Sequence, residues 1–271
     1  MIIKIIDKNI KINLLHIKEF ESIYKYEIDS IEYDFSIESY KGDLFIPNIE
    51  PIKKTEFYEM YEIDGYEYQV QYQSGNVVGT IEYRDNNIKI NLIKDDFYNE
   101  YLLTQYAMVY IITKSNAILF HGSSFIYKNK GIILTAKSGT GKSTHSRLWQ
   151  KYEDIIVVND DKNIIRIEDG ALVLYPSPWS GKHMLDNNIK TTLDAIVFLS
   201  QAHDNEVNIM SPIVAFKKIL GQIDMPSDRN KEIWNKTVDK LLELPIYSLE
   251  CNMDKEAYLT LKKRLEMDLC L

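Results

Sequence analysis

Apolar side chains recur at every second position through the first part of the chain, as in Ile31, Tyr33, Phe35 and Ile37 and again in Tyr66, Tyr68, Val70 and Tyr72. That period belongs to a strand with two unlike faces. Turn-forming residues separate the runs at Asp64-Gly65, Ser74-Gly75-Asn76 and Asp85-Asn86-Asn87. Residues 1–96 are therefore expected to form an antiparallel β region whose loops and faces recognise a substrate or partner.

The period then lengthens. Leu102, Tyr106, Val109 and Ile112 lie at helical spacing, so Phe97 to Thr113 is predicted as an amphipathic or largely buried helix. Beyond it, strands are expected at Ile118 to Gly122, Ser123 to Tyr127, Gly131 to Thr135, Asp154 to Asp161, Thr192 to Leu199 and Pro245 to Leu249. Helices are expected from Ser143 to Gln150, Pro212 to Ile223, Ser227 to Leu244 and Asp254 to Asp268, with Pro212 in a first turn and Ser227 as a cap. Neither a repeat nor a low-complexity linker interrupts this order.

The informative chemistry sits between two of these elements. Ala136-Lys137-Ser138-Gly139-Thr140-Gly141-Lys142-Ser143-Thr144 follows G-x-x-x-x-G-K-[ST], with Ala136 in place of the first glycine. A buried strand precedes it and a helix follows, the context a phosphate-binding loop needs. Gly139 and Gly141 let backbone N–H groups turn inward around phosphate oxygens, and the helix N-terminus adds its partial positive charge. Lys142 would reach the β- and γ-phosphates of a nucleotide, and the Ser143 hydroxyl would ligate Mg²⁺. The competing reading, a small-residue turn that happens to carry Lys-Ser, does not account for the flanking elements.

Further on, the apolar run Ile155 to Val158 ends in Asn159-Asp160-Asp161. One acid there can hold Mg²⁺ and the other can take a proton from an attacking hydroxyl. If both lie on extended backbone they point to opposite faces, which suits two roles. Two solvated aspartates in a surface turn are the plain alternative. Upstream, His121 closes a strand; its residue type suits proton relay, although a single histidine beside an apolar strand is more often an ordinary core or edge residue.

Taken in order, His121-Gly122, a strand, a turn, a strand, the loop Ser138 to Thr144 and the pair Asp160-Asp161 resemble the catalytic core of HPr kinase/phosphorylase and its relatives. The loop is also similar to that of ATP-dependent phosphoenolpyruvate carboxykinases. The resemblance spans about residues 117–200, with a looser likeness toward the C-terminus. It implies an α/β (α+β) fold: an HPr kinase/PEP carboxykinase-like P-loop core with a mixed β-sheet and flanking helices over residues 97–271, beside the N-terminal antiparallel β region. It implies ATP and Mg²⁺ as cofactors, and a site role for His121 with the acid pair. Asp160 and Asp161 share metal and base roles, with Asp160 expected on the metal side beside Ser143 and Asp161 as base. HPr kinases are hexamers, which places homo-oligomerisation among the expectations.

The departures narrow the expected activity. A Glu-Val-Arg-Gly-Leu-Gly segment typical of bifunctional HPr kinase/phosphorylases is missing, and Tyr175-Pro176-Ser177-Pro178-Trp179-Ser180-Gly181-Lys182-His183 stands in its approximate place. Phosphorolysis is therefore not expected. The chain is about half as long as a carboxykinase and lacks a credible set of oxaloacetate ligands, so decarboxylation is not expected either. Lys182 would supply a positive charge to a transferring phosphoryl group, the alternative being a structural loop around a packed Trp179. The acceptor is expected to be a Ser or Thr hydroxyl of a peptide or protein, or a small metabolite. A nucleotide-gated binding module is the second hypothesis, but it gives no reason for His121 and the acid pair.

Composition changes the picture little. The 271 residues include two cysteines, Cys251 and Cys270, too few for a disulfide framework. A net charge of −8 argues against nucleic acid as a partner. Lys4, Asp7 and Lys8 interrupt the apolar N-terminal segment, so no signal peptide or membrane partner is expected and the protein is expected in the cytoplasm. His16, His145, His183 and His203 show no metal-ligand spacing and are read as ordinary.

Overall fold

The computed structural model describes residues 1–137, 140–179, 187–224 and 231–271, and the chain divides into two compact units at Ser115 and Asn116. The division follows the long helix α1 (Phe97–Lys114) instead of preceding it.

The first unit is one sheet of β1 (Ile2–Ile5), β2 (Lys8–Asn13), β3 (Phe35–Lys41), β4 (Lys53–Lys54), β5 (Tyr58–Ile63), β6 (Tyr66–Gln73), β7 (Asn76–Arg84) and β8 (Asn87–Leu92), packed on α1. Its order is β1-β2-β3-β8-β7-β6-β5-β4. The hairpins joining β5 to β8 are antiparallel, and their turns use left-handed backbone at Asp64, Gly65, Ser74, Gly75 and Asp85, as the turn residues predict. The sheet as a whole is mixed, however, because β3 runs parallel to both β2 and β8. An antiparallel region is thus only part of the answer: β2 returns to β3 through a 3-10 segment (Glu21–Tyr26) that reverses the chain a second time. Ile31 and Tyr33 also fall outside β3 and are exposed. The Ser30 hydroxyl bonds Glu32 and the Asp34 carboxylate accepts from Asn9 N–H, so the chain bends there before it can pair.

Burial in this sheet does not follow hydropathy. Gln69 and Gln71 are buried on the face that also carries Gly79 and Tyr83, and α1 covers that face. The cost is met by hydrogen bonding: Gln69 donates to Gln71 at 2.8 Å and accepts from the Tyr83 hydroxyl at 2.9 Å. Gly79 permits the approach, since a Cβ there would lie 2.7 Å from Leu103 Cδ2.

The second unit contains β9 (Ala117–His121), β10 (Ser123–Tyr127), β11 (Lys130–Thr135), α2 (Lys142–Tyr152), β12 (Ile156–Asn159), β13 (Lys162–Glu168), β14 (Ala171–Tyr175), β15 (Thr191–Gln201), β16 (Glu206–Ile209), α3 (Pro212–Leu220), β17 (Ile223–Asp224), α4 (Lys231–Leu241), β18 (Ile246–Cys251) and α5 (Lys255–Asp268). The strand order is β12-β10-β11-β15-β14-β13-β9-β17; β14 pairs only the start of β15, at Thr191 and Thr192, and β18 pairs its second half, residues 196–201, with β16 beyond it. β11, β15 and β18 run parallel; β11 and residues 195–199 of β15 are buried on both faces, as continuous hydrophobic runs require, whereas β18 buries Tyr247, Leu249 and Cys251 and exposes Glu250.

Alternation along β11 sorts its side chains between two layers. Ile132 and Leu134 join Trp149, Tyr258, Leu261 and Leu265 of α2 and α5. Ile133 joins Ala215, Ile219, Val238 and Leu241 of α3 and α4. Trp149, fully buried, meets the rings of Phe125, Tyr127 and Tyr258 at 5.0, 5.0 and 5.2 Å, which anchors α2 to the sheet. Helix α4 begins at Lys231 among the described residues, so the expected cap Ser227 lies outside them. No helix among the described residues is long and apolar enough to cross a membrane.

The join between β11 and β15 depends on one glycine. A Cβ on Gly131 would lie 2.0 Å from the Thr192 carbonyl oxygen, a backbone atom that cannot swing aside. Gly131→Ala is expected to destabilise the protein by at least about 2 kcal/mol, read as a lower urea midpoint with an unchanged slope.

Candidate active site

Strand β11 delivers the chain into the glycine loop and α2 carries it away. Gly141 caps α2 with φ +112°, a left-handed backbone that L side chains rarely adopt. Ala136 does not have positive φ, which explains why alanine suffices where the pattern begins with glycine. The loop folds on itself: Thr140 N–H donates to the Lys137 carbonyl at 3.2 Å, and Lys142 Nζ donates to the Ala136 carbonyl at 3.0 Å. Burial lowers the Lys142 pKa; the charge of Asp161 opposes the shift and that of Lys162 adds to it. The ammonium of Lys142 therefore lies within the electrostatic reach of Asp161.

Asp161 is placed by strand pairing. β13 runs antiparallel to β9 with Lys162 opposite His121, so the residue before Lys162 meets the histidine. His121 Nδ1 lies 3.2 Å from Asp161 Oδ1, and both side chains are about one-third exposed. Main-chain bonds fix the pair further: Gly122 N–H donates to the Asp161 carbonyl at 2.8 Å, and His121 N–H to the Gln222 carbonyl at 2.8 Å. The Thr135 hydroxyl, at the end of β11, donates within 2.9 Å of the His121 carbonyl and 2.7 Å of Gln222 Oε1, which ties histidine and glycine loop together. Gly122 must be glycine because an added Cβ would lie 2.6 Å from Ile133 Cγ2 and 3.0 Å from the Leu134 carbonyl.

The two acids do not lie on a strand. β12 ends at Asn159, and Asp160 and Asp161 form a bend before β13, so the alternation argument for their opposite facing does not apply. Asn159 makes the bend. Its buried Oδ1 accepts from both Asp161 N–H and Lys162 N–H at 2.8 Å, while Nδ2 donates to the Ser177 carbonyl at 2.8 Å. Ser177 in turn donates to the Lys162 carbonyl at 2.6 Å, and Ser124 bonds both Asn159 and Asn163. None of Asn159, Ser177, Thr135 or Gln222 stood out in the sequence. An Asn placed before an acid pair at a strand end is an Asx-turn signal, and it would have identified Asn159 alone.

His121 and Asp161 are thus brought together and the charge of Asp161 acts on Lys142, with Asp160 half-buried in the same bend and Ser143, exposed, in the first turn of α2. Thr140, Gly141 and Thr144 border a small pocket with His145, Cys251 and Met253. Ser138, Gly139 and Lys182 lie outside the described residues, whereas Trp179 is described and buried. No group of three or more His, Cys, Asp or Glu among the described residues is arranged to hold a metal.

His145 is not an ordinary surface histidine. It is buried in the first turns of α2, and neither ring nitrogen has a hydrogen-bond partner among the described residues. Burial lowers its pKa to about 4, and the nearby Ala257 backbone opposes the shift without reaching good hydrogen-bond geometry.

No protein-family model and no curated protein matches the chain. Among solved structures it is similar to the Hpr(Ser) kinase/phosphatase from Coxiella burnetii, at 12% identity and a TM-score of 0.34, covering 56% of this chain and 93% of that one. At that level the likeness transfers no activity and no residue role.

Two outcomes follow from this geometry. Asn159→Ala strands the Asp161 and Lys162 amides and should cost about 2–4 kcal/mol in denaturant unfolding. For His145 the unfolded state binds the proton more tightly, so its contribution is complete above pH 6.5 and is lost as pH falls toward about 4. Between neutrality and about pH 4 the wild type should lose about 3 kcal/mol more stability than His145→Leu. Equal losses in the two proteins would remove the buried-imidazole account.

Proposed function

We propose that this protein is a Mg²⁺-dependent kinase that transfers the γ-phosphoryl group of ATP to a hydroxyl, on a serine or threonine of a peptide or protein or on a small metabolite. The observation that carries the reading is the His121–Asp161 pair, 3.2 Å apart, held within electrostatic reach of the half-buried Lys142 at the mouth of a glycine loop. A P-loop of this type binds phosphates through the unpaired amides at the start of α2 and through Lys142, which neutralises charge on the β- and γ-oxygens.

Asp161 acts as base. The acceptor hydroxyl gives its proton to the Asp161 carboxylate as its oxygen bonds to the γ-phosphorus, and the bond from that phosphorus to the β-bridging oxygen breaks to release ADP. His121 orients Asp161 through Nδ1, and Asn159 holds the bend that presents it. Ser143 and Asp160 offer hard oxygen donors suited to Mg²⁺, and the bound ion would supply charge neutralisation between the phosphates. Catalysis here is positioning and charge stabilisation. The binding-module reading leaves the histidine–carboxylate pair without a task.

Lys142→Ala and Asp161→Asn are each expected to keep the wild-type fold by circular dichroism and to reduce transfer from γ-labelled ATP to a peptide or metabolite acceptor by about a thousandfold or more. Turnover within tenfold of wild type in either variant would defeat the assignment. Label released only to water, with every acceptor tried, would favour a nucleotide switch.

A further inference from the structure

A cavity of about 710 Å³ opens beside the glycine loop, within the range of small-molecule sites. Its walls come from three places: the loop, the C-terminal end of β15, and the last turn of α3 with the residues that follow. Two walls adjoin the catalytic groups. Ala136 lines it and is the residue whose carbonyl accepts from Lys142. Gln222 lines it too, and its carbonyl accepts from His121 N–H while its side chain accepts from Thr135.

The charge of this cavity opposes that of the chain. Lys137, Lys217 and Lys218 line it, and no carboxylate does among the described residues, although the protein carries a net charge of −8. None of the three lysines forms an ion pair with a described residue. Lysines in a last helical turn suit the helix dipole, which accounts for Lys217 and Lys218 in part. It does not account for Lys137, which reaches the same space from another element. Phe198 and Leu199 give the floor an apolar surface, and Lys218 Nζ stands 5.4 Å from the Phe198 ring centre.

We infer that this cavity receives the phosphoryl acceptor, and that the acceptor is a hydroxyl compound bearing a carboxylate or phosphate group, held by Lys217 and Lys218. The inference rests on the kinase reading and adds the chemical class of the acceptor. A low-dielectric floor strengthens attraction to the lysines, and desolvation penalises an acceptor without the charge to use them.

Paired probes test it: D-glycerate and glycerol 3-phosphate against glycerol, and a seryl tripeptide flanked by aspartates against one flanked by asparagines. Binding to the full-length protein is measured by calorimetry with and without a non-hydrolysable ATP analogue, and transfer by label from γ-labelled ATP. The wild type should prefer at least one charged probe over its neutral partner by about tenfold or more, and the pair that shows it separates a free anion from an acidic peptide. Lys217→Gln/Lys218→Gln should abolish that preference through KM while leaving the KM for ATP within twofold. The single variants Lys217→Gln and Lys218→Gln, each expected to weaken the preference, provide the test should the double variant prove unstable. Equal binding of charged and neutral probes overturns the inference, as does displacement of the anion by the ATP analogue or a parallel rise in the KM for ATP, which would assign the lysines to the nucleotide. Failure of the kinase reading looks different: anion preference in calorimetry persists, but no acceptor is ever labelled.

Discussion

Antiparallel pairing of β9 with β13 is the constraint on which the site depends, because it sets His121 opposite Lys162 and so brings the imidazole to the carboxylate of Asp161. The pairing is anchored by an apolar core containing Ile118, Phe120 and Ile165, which fixes the register. A slip of one residue would turn these side chains out of the core and carry the acid away from the histidine. Stability of the layer and geometry of the site are in this way one requirement.

The polar groups around the site are mostly buried and almost all serve the backbone. Asn159, Asn163, Ser124 and Ser177 bond one another and the carbonyls and amides of the bend. Such a network is costly to leave half made and rigid when complete. It fixes where Asp161 stands. Lys142 completes the arrangement from the other side, its ammonium held between burial, which disfavours the charge, and Asp161, which favours it.

In the first unit the same physics acts without an evident reaction. Glu100, buried, accepts from the backbone amides of Leu15 and His16 at 2.8 Å and from the side chains of His16 and Ser39. One carboxylate thereby ties the end of β2, the middle of β3 and the first turn of α1, capped by Asp96, into one body. His16 consequently holds its proton above the ordinary range, although its own burial opposes this. Glu59 forms a second such centre with Lys54, Tyr61 and Tyr72 and is held near pKa 2 by their hydrogen bonds.

Much of this was legible in the residues because it is local. Hairpin turns at Asp64-Gly65 and Ser74-Gly75, the strand–loop–helix around Gly141 and Lys142, and the helices α1, α2, α3 and α5 follow from periods and backbone preferences that involve only near neighbours. The resemblance pointed to His121 and the acid pair as one group, but no short-range rule could bring them together. That required the pairing of β9 with β13, which joins residues far apart in the chain. Parallel contacts of β3, the buried polar face bearing Gln69 and Gln71, the Asn159 bend and the desolvated His145 were likewise decided by tertiary structure. Sequence determines what each segment prefers; burial and partner depend on which distant surface closes over it, and only the folded chain supplies that surface.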